Sequence, residues 1–278
     1  VDPFTLLSKY GADATRWYFY SVNNPGDPKL FTLEDVAKVQ RGFLMTLMNC
    51  LRFYELYETP GANHAELKPK PVEPLDDWIL SRLHGTIHVV SKALDEYDPT
   101  LASRTLEYFV VEDLSKWWIR RSRDRFPEAA EFLRYLLIKT SKLAAPFIPF
   151  TAEHIYKQVS NRSESVHLED WPRVEEKYVK PELEAGMQKI RELVTLGLAQ
   201  RKAANLKVRQ PLASLNVKEK IDPTLERYLK AEVNVKKILF APSQEEPVVL
   251  DTVITHELKL EGYAREIARA IQDMRKDA

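Results

Sequence analysis

Helical periodicity over most of the first 160 residues constrains the fold of this chain more than any other feature of its sequence. Apolar residues recur three and four positions apart in stretches that begin near Val36, Leu75 and Leu101, and again over 132–143 and 149–159. Such spacing gives each helix one apolar stripe, which is stable in water only when it packs against another element. We therefore predict a helical bundle in this part of the chain.

The pattern changes after the Trp-Pro pair at 171–172. A helical stretch over roughly 179–204 comes first, and an amphipathic helix over 258–275 ends the chain. Between them lie short runs rich in apolar and β-branched residues, at 212–217, 235–240 and 248–255. Runs of this length and composition are typical of strands, so we predict a mixed α/β region here.

These patterns predict a mainly α chain with three regions. Residues 1–30 form a junction segment, residues 31–172 form the helical bundle, and residues 173–278 form a small α/β domain. Only 8 glycines are present, which argues against a glycine-rich phosphate-binding fold and against an all-β architecture with many turns.

The overall charge directs the search for a binding site toward local clusters. The chain carries 41 Lys and Arg against 41 Asp and Glu, so no long-range field attracts nucleic acid. No apolar run approaches the roughly 18 residues that a membrane span needs, and we expect no membrane contact. The single cysteine, Cys50, rules out an intramolecular disulfide and fits a reducing compartment such as the cytoplasm.

Residues that carry most enzyme chemistry are scattered in this sequence. His84 and His88 are four positions apart, which is compatible with zinc on one helix face, but no third ligand lies beside them. We expect ordinary surface histidines there and a buried thiol at Cys50, which lies in an apolar helix. The glycine motifs of phosphate-binding loops and the GxSxG motif of hydrolases are absent. We therefore predict no catalytic residue and no metal ligand in this chain.

Adjacent carboxylates occur at 76–77, 112–113 and 169–170. Neighbouring residues of a helix point in different directions, so such a pair does not form the close dyad that acid–base catalysis uses. We expect helix caps and surface charge at these positions.

Two tryptophans and five cations share the eleven residues KWWIRRSRDRF at 116–126. Trp117 continues an apolar stripe and is expected in the core, whereas arginines near a helix end can contact phosphates and a tryptophan can stack on a base. The spacing fits equally well a solvated network in which the arginines pair with nearby acids, so both alternatives stay open. The candidate RNA-binding residues here are Arg120, Arg121, Arg123, Arg125 and, for stacking, Trp118.

A second basic cluster, RKAANLKVRQPL at 201–212, lies where a helix end leads into a strand. Cations in such a junction loop are suited to contact with a nucleic-acid backbone, and a purely solvated loop is an equal alternative. The candidate residues of this cluster are Lys202, Lys207 and Arg209.

Several longer motifs follow one another along the chain. They are KYGADATRWY at 9–18, DWILSRL at 77–83, WWIRRSRDRF at 117–126, LAAPFIPFTAEHIY at 143–156, SVHLEDWP at 165–172, KVRQPL at 207–212 and EGYAREI at 261–267. In this order they resemble class I aminoacyl-tRNA synthetases of the isoleucyl, valyl and leucyl group, and the last two look isoleucyl in particular. His154 departs from the pattern, because the family often has a second glutamate at that position.

The resemblance implies that this chain is the C-terminal part of a longer enzyme. The HIGH and KMSKS elements, the editing domain and the catalytic Rossmann fold are missing, as if the chain began just after KMSKS. The bundle would bind the anticodon region of an isoleucine tRNA, and the parent enzyme would attach isoleucine with ATP and Mg²⁺. The chain itself would carry no catalytic site and no cofactor, and zinc would belong to further regions of the long isoleucyl members.

The same resemblance implies the partners. The candidates of the first cluster would contact the anticodon stem-loop, and those of the second cluster another stretch of RNA backbone. We expect tRNA as the partner, without DNA or membrane, and a cytoplasmic monomer. The same region of a valyl or leucyl enzyme is the alternative within the family, and a helical scaffold for protein partners is the alternative outside it.

Overall fold

The computed structural model describes residues 3–28, 31–58, 68–126, 128–160 and 164–277, with side chains as far as residue 275. The chain divides into two compact units, Val1–Lys180 and Pro181–Ala278. In the described residues of the first unit, the regular elements are helices and helical turns, whereas the second unit combines helices with a three-stranded sheet. This confirms the predicted mainly α fold with a small α/β part.

The helices of the first unit follow the apolar periods of the sequence. Their bounds are α1 (Pro3–Ser21), α2 (Leu33–Val39), α3 (Met45–Glu55), α4 (Pro74–Asp95), α5 (Pro99–Tyr108), α6 (Arg120–Ser122), α7 (Ala130–Ala144) and α8 (Pro149–Ser160). A π-helical turn at Gln40–Leu44 connects α2 to α3, and a π-helical stretch at Phe109–Ile119 connects α5 to α6. Shorter 3₁₀ turns lie at Arg123–Arg125, Val166–Leu168 and Glu176–Tyr178.

A kink at Gly11 divides α1 into two stretches. Gly11 has a φ of 81°, in the left-handed region that glycine enters without steric cost. Beyond the kink, the buried carboxylate of Asp13 accepts hydrogen bonds from the N–H and the hydroxyl of Thr151, each at 2.6 Å. Asp13 thereby satisfies an N–H group in the first turn of α8 and fixes α1 to the bundle.

Several large aromatic side chains lie in the core of the first unit. Trp17 stacks on Phe43 with ring centroids 3.8 Å apart, and Trp78, Phe109 and Trp118 are also buried. Rings of this size bury about 150–250 Å² each, so they supply much of the apolar area that stabilises the bundle.

The first unit extends beyond the predicted end of the bundle at residue 172. His84 Nδ1 accepts a hydrogen bond from the Glu175 N–H at 3.1 Å, and Ser81 Oγ accepts one from the Lys180 N–H at 2.8 Å. These contacts attach an irregular segment to α4. Periodicity could not reveal them, because the segment itself has no repeating pattern.

The second unit contains α9 (Pro181–Ala203), β1 (Leu212–Val217), α10 (Pro223–Val233), β2 (Val235–Phe240), β3 (Val248–Leu250) and α11 (His256–Asp277). The strand order is β2–β1–β3, with β1 parallel to β2 and antiparallel to β3. Parallel neighbours need a crossover connection, and α10 supplies it. The sequence prediction omits this helix, although the buried residues Leu225 and Leu229 follow its N-cap Asp222 at helical spacing.

Strand β3 is shorter than the predicted run over 248–255. It ends at Leu250, because only Val248, Val249 and Leu250 pair with β1 as Cα partners. Val253, beyond the strand, is exposed. β-branched residues favour a strand where a neighbouring strand and a core are available, and composition alone does not supply either.

Candidate nucleic-acid interface

α5, the π-helical stretch, α6 and the 3₁₀ turn at Arg123–Arg125 follow one another without a break, and we call them the rod. The first basic cluster lies at the C-terminal end of this rod. The rod ends in the 3₁₀ turn at Arg123–Arg125, after which Phe126 adopts an extended conformation with φ −77° and ψ 136°. The buried ring of Phe126 packs edge-on against Phe53 with centroids 4.6 Å apart. This anchor fixes the helix end, where arginines also stabilise the negative end of the helix dipole.

Trp118 belongs to the core and not to a stacking surface. Its side chain is fully buried, its indole N–H donates to Asp76 Oδ1 at 2.8 Å, and its ring packs against Phe126 and Phe132. No face of the ring is open to a base, so the prediction that Trp118 stacks on RNA is corrected. Helical spacing predicted that only Trp117 lies in the core. In the structure both Trp117 and Trp118 are buried.

Arg125 is held by two carboxylates. Its guanidinium donates to both oxygens of Asp76, with Nη1 2.8 Å from Oδ2, and its Nε lies 3.1 Å from Oε1 of Glu73. Asp76 is 1% exposed, so loss of Arg125 would leave a buried carboxylate without its cation. Arg125 therefore has a structural role, and its contact with RNA stays a prediction.

Arg121 lies along the helix and covers Trp117. The guanidinium carbon is 3.1 Å from the centroid of the Trp117 ring, and Nη1 donates to the carbonyl oxygens of Lys116 and Trp117 at 3.2 and 2.9 Å. The cation–π contact and the carbonyl contacts keep this side chain half-buried. Only part of its guanidinium is accessible to a ligand.

Arg120 and Arg123 carry the charge of this cluster into solvent. Both residues are exposed and lie three positions apart at the helix end. The guanidinium of Arg123 forms no hydrogen bond or ion pair in the described ranges. The first cluster therefore separates into two outward arginines, one arginine that covers a tryptophan and one arginine that is bound to buried acid.

Two of the adjacent carboxylate pairs each have a buried member, which corrects the expectation of surface charge there. Asp76 and Asp113 are 1% and 0% exposed, and Asp113 accepts from Arg82 Nε at 2.9 Å. Their sequence neighbours Asp77 and Glu112 are more exposed. Adjacent helical residues point apart, so one member of each pair faces the core and the other faces solvent.

The second basic cluster is organised by Arg201, a residue that the sequence did not single out. Its side chain is 1% exposed, and its guanidinium donates at 2.7–2.9 Å to the carbonyl oxygens of Val233, Asn234, Lys207 and Gln210. Burial lowers the pKa of Arg201 to about 10, so the group remains charged at neutral pH. The sequence holds no signal for this role, because the four carbonyls come from a loop and from the end of α10.

Lys207 and Arg209 share one carboxylate of α11. Arg209 Nη1 lies 3.3 Å from both oxygens of Glu266, and Lys207 Nζ lies 3.7 Å from Glu266 Oε1. The side chains of Lys207 and Arg209 are still 78% and 40% exposed. Lys202, the third candidate of the cluster, is exposed in the last turn of α9. The structure thus joins Lys207 and Arg209 through a third residue that the sequence prediction does not include.

The backbone of this loop is fixed on two sides. Asn234, left-handed at the end of α10 with a φ of 53°, donates from Nδ2 to the Val208 carbonyl at 2.8 Å. Gln210 Nε2 donates to the Leu258 carbonyl at 2.6 Å, and a Cβ on Gly262 would lie 2.3 Å from Gln210 Oε1. The missing Cβ of Gly262 therefore lets α11 approach the loop closely, and the loop cations are positioned before any ligand arrives.

His84 and Cys50, which the sequence analysis considered for enzyme chemistry, are both buried. His84 is buried, which corrects the expectation of a surface histidine, and burial lowers its pKa to about 4. Cys50 is buried as predicted, and burial raises the pKa of its thiol to about 12, which keeps it protonated at neutral pH. The described residues include no group of three or more potential metal ligands. No helix in the described part of the chain combines the length and apolar character of a membrane span.

The chain matches the family model described as anticodon-binding domain of tRNA ligase. The match covers residues 76–218, which is more than half of the chain. It runs from the first turn of α4 to the end of β1 and includes both basic clusters.

Similar curated proteins are isoleucine–tRNA ligases. The chain is 38% identical to that of Deinococcus radiodurans, over 86% of this chain and 24% of the relative. It is 40% identical to that of Clostridium tetani over 86% of this chain and 25% of the relative. With the enzyme of Dehalococcoides mccartyi, the 36% identity extends over 100% of this chain and 31% of the relative. The chain therefore spans about a quarter to a third of the length of the curated relatives it matches.

A solved structure supports the fold. A LeuRS of Agrobacterium radiobacter K84, crystallised in a ternary complex with tRNA and LeuAMS, superposes with a TM-score of 0.50 at 18% identity. The similarity covers 65% of this chain and 22% of the other chain. It shows that this chain shares its fold with part of that LeuRS.

Proposed function

Because the chain belongs to the family of anticodon-binding domains of tRNA ligases, we propose that it is the tRNA-binding portion of an isoleucine–tRNA ligase. The similarity of the chain to isoleucine–tRNA ligases, which in one relative covers all of it, carries this proposal. In the whole enzyme the active site that joins isoleucine to its tRNA with ATP would lie in other regions. We further propose a monomer that acts in the cytoplasm and binds no DNA.

The exposed end of the rod at Arg120 and Arg123 is the proposed contact with the anticodon stem-loop. Both arginines are exposed, and they follow one another by one helical turn. Arginine binds phosphate oxygens in a bidentate manner, which suits the backbone of a stem-loop. Arg121 would add to the positive potential of this surface without leaving Trp117.

The loop after α9 is the proposed second contact. Lys202, Lys207 and Arg209 are cations on or beside a loop whose backbone is held by Arg201. A fixed loop loses little conformational entropy when it binds, so each cation contributes more of its attraction to the affinity.

Charge reversal at Arg120 and Arg123 tests the first contact. We expect the full chain with Arg120→Glu and Arg123→Glu to bind an isoleucine tRNA transcript at least about tenfold more weakly, with a shallower dependence of affinity on salt. The measurement is a gel-shift or fluorescence-anisotropy titration at two salt concentrations. Neither residue is buried, so the fold is expected to remain intact by circular dichroism.

The matched control reverses two other exposed cations of the first unit, Lys92→Glu and Arg173→Glu. This variant has the same change in net charge, so any difference between the two variants reports the location of the charge and not its total. Equal affinities and equal salt slopes in the two variants would refute the proposed contact. Stronger binding of a valine or leucine tRNA than of the isoleucine tRNA would refute the proposed specificity.

A further inference from the structure

The two outward cations of the loop after α9 are occupied by one carboxylate of the same chain. Arg209 Nη1 is 3.3 Å from both oxygens of Glu266, and Lys207 Nζ is 3.7 Å from one of them. A phosphodiester also presents two oxygens that share one negative charge, and both anions match the guanidinium group. We propose that Glu266 occupies the position of an RNA phosphate on Lys207 and Arg209 and competes with RNA for this site. The inference rests on the proposed function and adds an internal competitor to it.

The site persists without Glu266. Arg201 holds the carbonyls of Lys207 and Gln210, and Asn234 holds the carbonyl of Val208. None of these hydrogen bonds involves Glu266. Removal of its charge therefore leaves the two cations where they are and exposes them to an external anion.

The contact with Glu266 is loose enough to be displaced. Charge-assisted hydrogen bonds between nitrogen and carboxylate are usually about 2.7–2.9 Å long, and the distances here are 3.3 and 3.7 Å. The side chain of Glu266 is 37% exposed, and exposed ion pairs contribute little to stability. RNA also gains affinity when its condensed counterions are released, which a single carboxylate cannot match. Glu266 thus reduces the affinity of the site without closing it.

Glu261, one and a half turns earlier on α11, has a different role. Its carboxylate lies 2.6 Å from Lys236 Nζ and 2.7 Å from Arg265 Nη2. Both contacts are short; the first joins α11 to β2, and the second lies within α11. Glu266 therefore contacts Lys207 and Arg209 of the loop. Glu261 contacts Lys236 and Arg265, which lie outside the loop.

The test neutralises Glu266 in the full chain. We compare Glu266→Gln with Asp273→Asn, which removes the same charge from α11 at a residue that pairs with Arg269. The probes are an isoleucine tRNA transcript and a short unstructured RNA oligonucleotide. We expect Glu266→Gln to bind both probes about threefold more tightly than Asp273→Asn does, which is the size of one surface ion pair. Its salt dependence should be steeper by up to about one unit of slope.

A second pair of variants locates the effect. In a chain with Lys207→Gln and Arg209→Gln, the addition of Glu266→Gln should change the affinity no more than Asp273→Asn does. If Glu266→Gln no longer raises the affinity for RNA in this background, Glu266 acts through Lys207 and Arg209. A gain of the same size in both backgrounds would overturn the inference, because it would reflect only the net charge of the chain.

The outcomes separate the inference from the proposed function. Equal affinities of Glu266→Gln and Asp273→Asn for both probes would overturn the inference, and the proposed function would stand if the wild type prefers the tRNA. If the wild type binds the oligonucleotide as tightly as the tRNA, the proposed function fails. A threefold gain on both probes would in that case still support a phosphate site controlled by Glu266.

Discussion

The two basic clusters have similar compositions but are built in opposite ways. At the helix end of the first unit, Arg125 is held by the carboxylates of Asp76 and Glu73. In the loop of the second unit, Arg201 is held by four backbone carbonyls. In both clusters one arginine is structural, and it fixes the backbone from which the outward cations project. A run of arginines therefore does not by itself indicate a binding surface, because part of its charge stabilises the fold.

Arginines bind pairs of backbone carbonyls elsewhere in the first unit. Arg104 donates to the carbonyls of Ser21 and Val22 at the end of α1, and the buried Arg134 donates to those of Val159 and Ser160 at the end of α8. The last carbonyls of a helix lack partners within it, and the planar guanidinium can satisfy two of them at once. Arg201 does the same at the end of α10 and also holds the loop.

The largest effect is expected where the carbonyl contacts are removed. Arg201→Met should destabilise the second unit by about 4 kcal/mol, because four carbonyls lose a charged donor in a buried site. Hydrogen exchange followed by mass spectrometry should show lost protection in β1 and β2, with the first unit unchanged. The control Lys202→Met changes an adjacent exposed residue and should leave protection as in the wild type. Full protection of both strands in Arg201→Met would contradict the structural role of Arg201.

A somewhat smaller effect is expected where the carboxylate contacts are removed. Arg125→Met should lower the free energy of unfolding of the first unit by about 3 kcal/mol, because it leaves Asp76 buried without its cation. All five tryptophans lie in this unit, so denaturant titration followed by tryptophan fluorescence reports its unfolding.

The matched control for this prediction is Arg123→Met, which removes the same group from an exposed position. It should cost no more than about 0.5 kcal/mol. If the two variants lost the same stability, Arg125 would not be the structural arginine of the cluster, and the contrast between the two clusters would disappear.

A fall in pH is expected to lower the stability of the first unit, because His84 is buried. The pKa of this histidine is lowered to about 4 by burial, so as pH falls below about 6.5 the unfolded chain takes up the proton before the folded chain does. Stability is therefore lost from about pH 6.5 down to about pH 4, where the folded state also becomes protonated. The expected loss across this window is about 3 kcal/mol.

The control for the acid prediction is His84→Asn, whose amide oxygen can still accept from the Glu175 N–H. Its stability should fall less steeply between pH 6.5 and pH 5, a range in which most carboxylates remain ionised. Tryptophan fluorescence at several pH values measures both proteins. Parallel pH profiles would show that His84 is not the titrating group.

Local sequence was sufficient for much of the fold. The apolar period of three and four residues predicts the helices of the bundle, because a stripe of that period can be buried on only one kind of element. The runs at 212–217 and 235–240 are strands, as predicted. The prediction makes β3 too long, because strand length depends on a pairing partner. It also omits α10, because short helices give a weak periodic signal.

The candidate site shows where sequence reasoning ends. The sequence indicated both clusters and placed Trp117 in the core, but it could not assign roles to the individual arginines. Arg125 became structural through Asp76, a residue 49 positions away along the chain. Lys207 and Arg209 meet Glu266, which lies 57 positions after Arg209. Contacts over such separations depend on how the elements pack, and no local pattern encodes them.

The sequence by itself determined that this chain forms a helical bundle followed by a small α/β unit, and its collinear motifs pointed to the tRNA ligase family. Tertiary structure alone decided which cations face solvent and which hold the fold together. The physical reason is that periodicity is a property of one element, whereas burial of a charge depends on the partner that compensates it. Arg120 and Arg123 are exposed, whereas Arg125 and Arg201 are structural because the acceptors around them hold their guanidinium groups.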